Sequence, residues 1–134
     1  MIVVDASVWV SALGRHDIHY RASRQWLDQY MAEGGLVIAP VILLAEVAGA
    51  IARLRSSPRH GRQAMSRLLE APRLRLVPHD GGFAQTAARV AADLRLRGAD
   101  AIYVTVALVL GIPLVTWDRE QQQRAGALVT VQTP

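Results

Sequence analysis

Cysteine and lysine are both absent from this chain of 134 residues. Without cysteine there is no disulfide and no thiolate metal site, so any metal must be held by oxygen or imidazole. That composition fits a reducing cytoplasm. Without lysine, three chemistries fall away: the phosphate-binding loop, the receiver-type phosphorylation domain and Schiff-base catalysis all need that amine. Long apolar runs are missing too, since none approaches the roughly 18 residues of a membrane span. The opening "MIVVDASVW" has no basic leader ahead of its apolar run, unlike a secretory signal. The expectation is a soluble cytoplasmic protein with no membrane partner. A hydrophobic content of 51% against 19% charged residues argues against disorder. The length suits one domain, residues 1–134, around a single core.

All 15 basic residues are arginine, and they are unevenly spread. Seven of them (53, 55, 59, 62, 67, 73 and 75) fall between Arg53 and Arg75 against one acid, Glu70, a local charge of +6. The remaining 8 arginines and 10 acids give −2, so the net +4 resides in that segment. Clustered arginine is the electrostatic footprint of a polyanion-binding surface, and it is equally the mark of a solvated helix face. On the first reading Arg59, Arg62 and Arg67 are the candidate nucleic-acid contacts.

Short β-branched runs alternate with helical patterns. "IVV" (2–4), "LVIA" (36–39), "LRLV" (74–77), "PLVT" (113–116) and "LVTV" (128–131) read as five strands. "HYRASRQWLDQYMAEGG" puts Tyr20, Trp26, Leu27, Tyr30 and Met31 mostly on one helical stripe. Further helices are expected in "PVILLAEVAGAIARLRSS", starting at Pro40, in "HGRQAMSRLLEA" after Pro58, in "FAQTAARVAADLRLRG" and in "DAIYVTVALVLG". Strands this apolar cannot have a wet face, so the pattern implies an α/β fold with a parallel sheet covered on both sides.

The sheet's carboxyl edge is where ligand sites form in such folds. Asp5 follows the first strand and Asp118 the fourth. Each also suits a helix N-cap, Asp118 with Gln121 as a capping box, and Asp100 after "RGA" fits the same description. Glu46 differs, because its local neighbours in "VILLAEVAGAIA" offer no cation. Such a carboxylate must find a distant arginine, lose its charge or bind a metal. Three acids at strand-to-helix junctions and one inside a helix would together supply hard oxygen ligands, suited to Mg²⁺ or Mn²⁺ rather than zinc. His16, His19, His60 and His79 read as surface residues.

"IVVDASVWVSAL", "PVILLAEV" and "RGADAIYVTVALVLGIPLVTWDREQ", in this order and at this length, resemble a PIN domain of the VapC-type toxin group. The resemblance implies a three-layer fold whose five-stranded parallel sheet runs 3-2-1-4-5, which sets Asp5 beside Asp118. It implies a metal-dependent endoribonuclease in which Asp5, Glu46, Asp100 and Asp118 hold one or two Mg²⁺ or Mn²⁺ ions. Products would carry 5′-phosphate and 3′-hydroxyl ends. Ser7 and Thr116 match positions where small hydroxyl residues support the acids, although Ser7 also suits a helix cap. The implied partners are an RNA substrate, a second copy in a homodimer, and a small antitoxin. Trp9, Trp26 and Tyr30 would line the antitoxin's surface unless they belong to the core. A housekeeping PIN nuclease would share every one of these residues, whereas a non-catalytic RNA-binding PIN module would not need all four acids. An aspartyl phosphatase would want an acid at Ser7, and a lysine.

Overall fold

In the computed structural model, which describes residues 1–134, β1 (Ile2–Val4), β2 (Val37–Pro40), β3 (Leu74–Val77), β4 (Leu114–Val115) and β5 (Val131–Gln132) form one sheet. All pairings are parallel and the order is β3-β2-β1-β4-β5. The register sets Val3 opposite both Ile38 and Leu114. β1, β2 and β4 are buried along their whole length, as expected of strands covered on both faces.

Seven helices connect and cover these strands. α1 (Ala6–Leu13) and α2 (Tyr20–Ala32) lie between β1 and β2, α3 (Leu43–Leu54) and α4 (Pro58–Leu69) between β2 and β3. α5 (Gly81–Leu94) and α6 (Gly98–Leu110) lead to β4, and α7 (Arg119–Ala125) leads to β5. The nearly all-apolar α6 packs on β1, β2 and β4, burying Tyr103, Val104, Val106 and Ala107. It stops at Gly111, whose φ of 63° is the left-handed conformation that glycine adopts without strain. α4 begins at Pro58 itself, where the sequence reading set the helix after that residue, and Gly61 lets it approach α3 backbone to backbone. A Cβ there would lie 2.5 Å from the Ala48 carbonyl oxygen and 2.9 Å from the Ala52 methyl.

Several boundaries differ from the sequence reading, two of them for a visible reason. Pro40 closes β2, and α3 begins three residues later. β5 starts at Val131 rather than Leu128, because the Leu128 and Val129 amides are taken by the Ala125 carbonyl at the end of α7. Pairing with β4 resumes where the Leu114 amide donates to Thr130 and the Thr116 amide to Gln132.

Candidate active site

β1 and β4 are neighbours, so the residues that follow them emerge side by side: the Asp5 amide donates to the Val115 carbonyl at 3.0 Å. Asp5 N-caps α1, its Oδ2 accepting from the Ser7 amide at 3.0 Å. Asp118 N-caps α7, its Oδ1 accepting from the Gln121 amide at 2.8 Å. Only half of the capping box forms, because the Gln121 side chain donates to the Asp100 carbonyl and the Asp118 amide donates to Thr116, and capping uses only one oxygen of each carboxylate. Asp5 Oδ1 has no protein partner, and Asp118 Oδ2 accepts from Arg97 at 2.7 Å. Cap and ligand are compatible roles for one aspartate, because each role engages a different oxygen.

Two small hydroxyls tie these acids together. Thr116 Oγ1 donates to Asp5 Oδ2 at 3.1 Å and accepts from the Asp118 amide at 3.0 Å. Since its one hydrogen is committed to Asp5, the 3.3 Å contact with Ser7 Oγ must have serine as donor. Ser7 Oγ in turn accepts from the Trp117 amide at 3.1 Å. Ser7 is therefore not a helix cap. It stands second in α1, behind the capping Asp5.

Asp100 is not a cap either. Arg97 holds the N-cap position of α6 without a side-chain capping bond, and Asp100 sits in the first turn, where a carboxylate is favoured by the helix dipole. Its junction joins α5 to α6 rather than a strand to a helix. Glu46 meets no arginine. Its partner is the Tyr103 hydroxyl, which donates to Oε2 at 2.7 Å from a fully buried ring. This partner is a phenol 57 residues away, not a cation, and no local spacing marks it.

Asp5, Glu46, Asp100 and Asp118 line one pocket of about 240 Å³, together with Ser7 and Arg97. Burial raises the Asp5 pKa, opposed by its hydrogen bonds from Ser7 and Thr116. Burial also raises the Glu46 pKa against the Tyr103 bond, and the charges of Asp5 and Asp100 push it further. For Asp100, burial again leads, countered by Arg97 and reinforced by Asp5 and Asp118. Tyr103 is raised above its ordinary value by burial and by the charge of Glu46, so its hydroxyl stays a donor.

Arg97, which carried no signal in the sequence beyond lying three residues before Asp100, bridges two of the four acids. Its Nε donates to Asp100 at 2.8 Å and its terminal nitrogen to Asp118 at 2.7 Å, with 68% of the side chain exposed. As the side chains stand, no three acids or histidines converge on one ion position. The donor set still suits a hard divalent cation: four carboxylates and no sulfur or imidazole, at least three of them disfavoured as anions.

Beside this pocket lies an open cleft of about 630 Å³ that shares Ala6, Ser7 and Glu46 with it. On its wall His19, half-buried rather than a free surface histidine, stacks on Trp117 at 3.8 Å. The indole Nε1 is fixed by Ser23 Oγ at 2.8 Å, which is bonded to Ser11 Oγ. Arg59, Arg62 and Arg67 are exposed on α4 around a separate concavity and do not enter the acidic pocket. Trp9 is buried, and Trp26 and Tyr30 are half-buried and stacked at 5.3 Å, so none is the free aromatic surface one expectation required. No helix is long and apolar enough to cross a membrane.

The family model described as "PIN domain" matches residues 2–127. Among solved structures, the fold is similar to Mycobacterium tuberculosis VapC20, a sarcin-ricin loop cleaving toxin, with a TM-score of 0.76 and 17% identity over 92% of this chain and 94% of that one. It is also similar to VapBC2 from Rickettsia felis bound to a DNA fragment from their promoter (TM-score 0.71, 16% identity, 100% and 99% covered). FitAcB from Neisseria gonorrhoeae gives a TM-score of 0.71 at 21% identity, with 98% and 96% covered. Identities this low speak for the fold. No curated protein matches the sequence.

Proposed function

The chain belongs to the PIN domain family, and on that footing we propose that it is a Mg²⁺- or Mn²⁺-dependent endoribonuclease, the toxin of a toxin–antitoxin pair. The observation that carries this reading is the single pocket lined by four carboxylates, at least three of them destabilised as anions and two neutralised only by an exposed arginine. Fold stability alone gives no reason to gather that much charge. It is the arrangement expected when a cation is to be bound.

In this reading Asp5, Glu46, Asp100 and Asp118 would hold one or two divalent ions. Held there, a divalent ion would supply an activated water and neutralisation of the charge on the scissile phosphate. The chain's own groups prepare the site. Tyr103 holds one oxygen of Glu46, and Ser7 and Thr116 fix the aim of Asp5 while anchoring the backbone of Trp117 and Asp118. Thr116 and the Ser7 amide both bond Asp5 Oδ2, so Oδ1 remains for a ligand. Arg97 would have to release Asp100 and Asp118 as a metal binds, or turn to the substrate phosphate.

The VapC and FitAB likenesses favour an antitoxin partner over a free-standing processing enzyme, and a homodimer is proposed with it. Leu108, Val109 and Leu110, exposed at the end of α6, offer apolar surface to such a partner. A non-catalytic RNA-binding module would have no use for all four acids.

The test is incubation of the purified chain with total RNA, with Mn²⁺ and with EDTA, followed by sequencing of the ends. New 5′-phosphate ends only in Mn²⁺, lost in Glu46→Gln and Asp118→Asn, are the expected result. RNA left intact by a folded, Mn²⁺-binding parent would overturn the nuclease reading.

A further inference from the structure

The acidic pocket opens onto a run of concavities whose charge changes sign. The 630 Å³ cleft next to it is walled by α1, the α1–α2 loop and α3, and ends at Arg53, two turns along α3 from Glu46 and so about 10 Å away at about 1.5 Å per residue. The same three elements, with α4, wall the next concavity, of about 540 Å³, into which Arg15, His16, Arg55, His60 and Arg67 project and no acid does. That one shares Gln63 and Arg67 with a third, about 490 Å³, which adds Arg59 and Arg62.

Arg15, Arg53, Arg55, Arg59, Arg62 and Arg67 are all exposed, and none is in an ion pair. Arg73 and Arg75, from the same basic segment, are instead turned back onto backbone carbonyls. Across the acidic pocket from this run, Arg97 and Arg124 are already paired with Asp100, Asp118 and Glu120. Arg95 and Arg119 are exposed and unpaired as well but line none of these concavities, so the unpaired guanidinium groups that do line them lead away from the pocket in one direction. Arg15, from outside the basic segment, joins them.

We propose that the cleft between α1 and α3, continued toward α4 by Arg53, Arg55 and Arg15 and onto it by Arg67, is a track for single-stranded RNA on one side of the scissile phosphate only. The inference rests on the nuclease reading for the position of the cut, but not for the binding itself. Unpaired guanidinium groups along a groove hold phosphates without reading bases, and the His19–Trp117 stack supplies a flat wall where the track meets the acids. Two consequences follow. Binding depends steeply on salt, and cleavage needs several nucleotides on one side of the cut and few on the other.

The binding arm uses the full chain in EDTA with a fluorescein-labelled 20-nucleotide single-stranded RNA, titrated at several NaCl concentrations. Arg15→Ala/Arg55→Ala should bind about tenfold more weakly near 0.1 M salt and lower the log–log slope by about 1.4, two contacts at about 0.7 each. Arg73→Ala/Arg75→Ala should match the parent. Arg15→Gln/Arg55→Gln, with unchanged circular dichroism, guards against a folding defect. An unchanged slope in both track variants overturns the proposal, as does loss of fluorescent poly-glutamate binding with RNA binding intact, which would assign the cleft to an acidic peptide. The cleavage arm compares oligonucleotides cut back from either end, in Mn²⁺. A length requirement on one side supports the track, and equal requirements on both sides overturn it. If the parent cuts nothing, the nuclease reading fails while the salt slopes still decide the track.

Discussion

Replacing Asp5 by asparagine separates a charge cluster from a set of helix caps, because the two assignments give opposite signs. Asparagine caps a helix as well as aspartate, and its one carbonyl oxygen can keep both bonds now made by Asp5 Oδ2, from the Ser7 amide and Thr116. Only the charge is lost. A pocket of about 240 Å³ is about 8 Å across if roughly spherical, and two unit charges about 8 Å apart at an effective dielectric near 20 repel by about 2 kcal/mol. Asp5 faces Glu46 and Asp100 in this way. Arg97 and the water at the mouth reduce the gain, leaving a net stabilisation of about 1 to 2 kcal/mol in EDTA, or about 3 to 8 °C for a chain of this size. Mn²⁺ at about 100 times its Kd should add about 2.7 kcal/mol to the parent and much less to the variant. Arg97→Ala should move the other way. It removes the only cation on Asp100 and Asp118, and because that side chain is 68% exposed the loss should stay within about 1 kcal/mol, while Mn²⁺ binds more tightly with no arginine to displace. The assay is thermal melting by circular dichroism, in EDTA and in Mn²⁺. If Asp5→Asn melts below the parent in EDTA and gains as much from Mn²⁺, Asp5 is a cap and not a member of an anionic site.

Tyr103→Phe should destabilise the metal-free protein by about 1.5 to 3 kcal/mol, because a half-buried carboxylate loses its donor, and by only about 1 kcal/mol in a Glu46→Gln background. A double-mutant cycle by denaturant unfolding reads the difference, and equal costs would show that the phenol does nothing for the charge. Stability should also depend on pH with a sign set by Asp5, Glu46 and Asp100, all raised above their ordinary values of 3.8, 4.5 and 3.8. Below those values both states are protonated. As pH rises the unfolded chain ionises first while the folded site still holds its protons, so their contribution is greatest at the acid end and is lost toward neutrality. In EDTA the urea midpoint of the parent should fall between about pH 4 and about pH 7 relative to that of Asp5→Asn/Glu46→Gln/Asp100→Asn, and a rise relative to the triple variant would contradict the burial of these charges.

The strands and most helices were legible in the sequence because their signals are local. "IVV" and "LRLV" announce strands by β-branching and apolarity, Pro58 marks the start of α4, and the Asp118 cap on the Gln121 amide is a three-residue relation. The oddity of Glu46 was legible too, since an acid with no cation in reach along its own helix is a statement about spacing. The strand order came from the resemblance rather than from any such spacing, and it agrees with the structure.

What the sequence could not give was partnership across distance. Tyr103 meets Glu46 57 positions away and Thr116 meets Asp5 111 positions away. Arg97, at the α5–α6 junction where no strand intervenes, reaches Asp118 21 positions on. The basic segment likewise divided only on folding: Arg55 and Arg67 joined Arg15 around one concavity, while Arg73 and Arg75 folded back on their own surroundings. Periodicity records which face of an element is apolar. Which groups meet at the sheet's edge, and which charges are left without partners there, depends on crossovers and helix packing that no window of neighbouring residues contains.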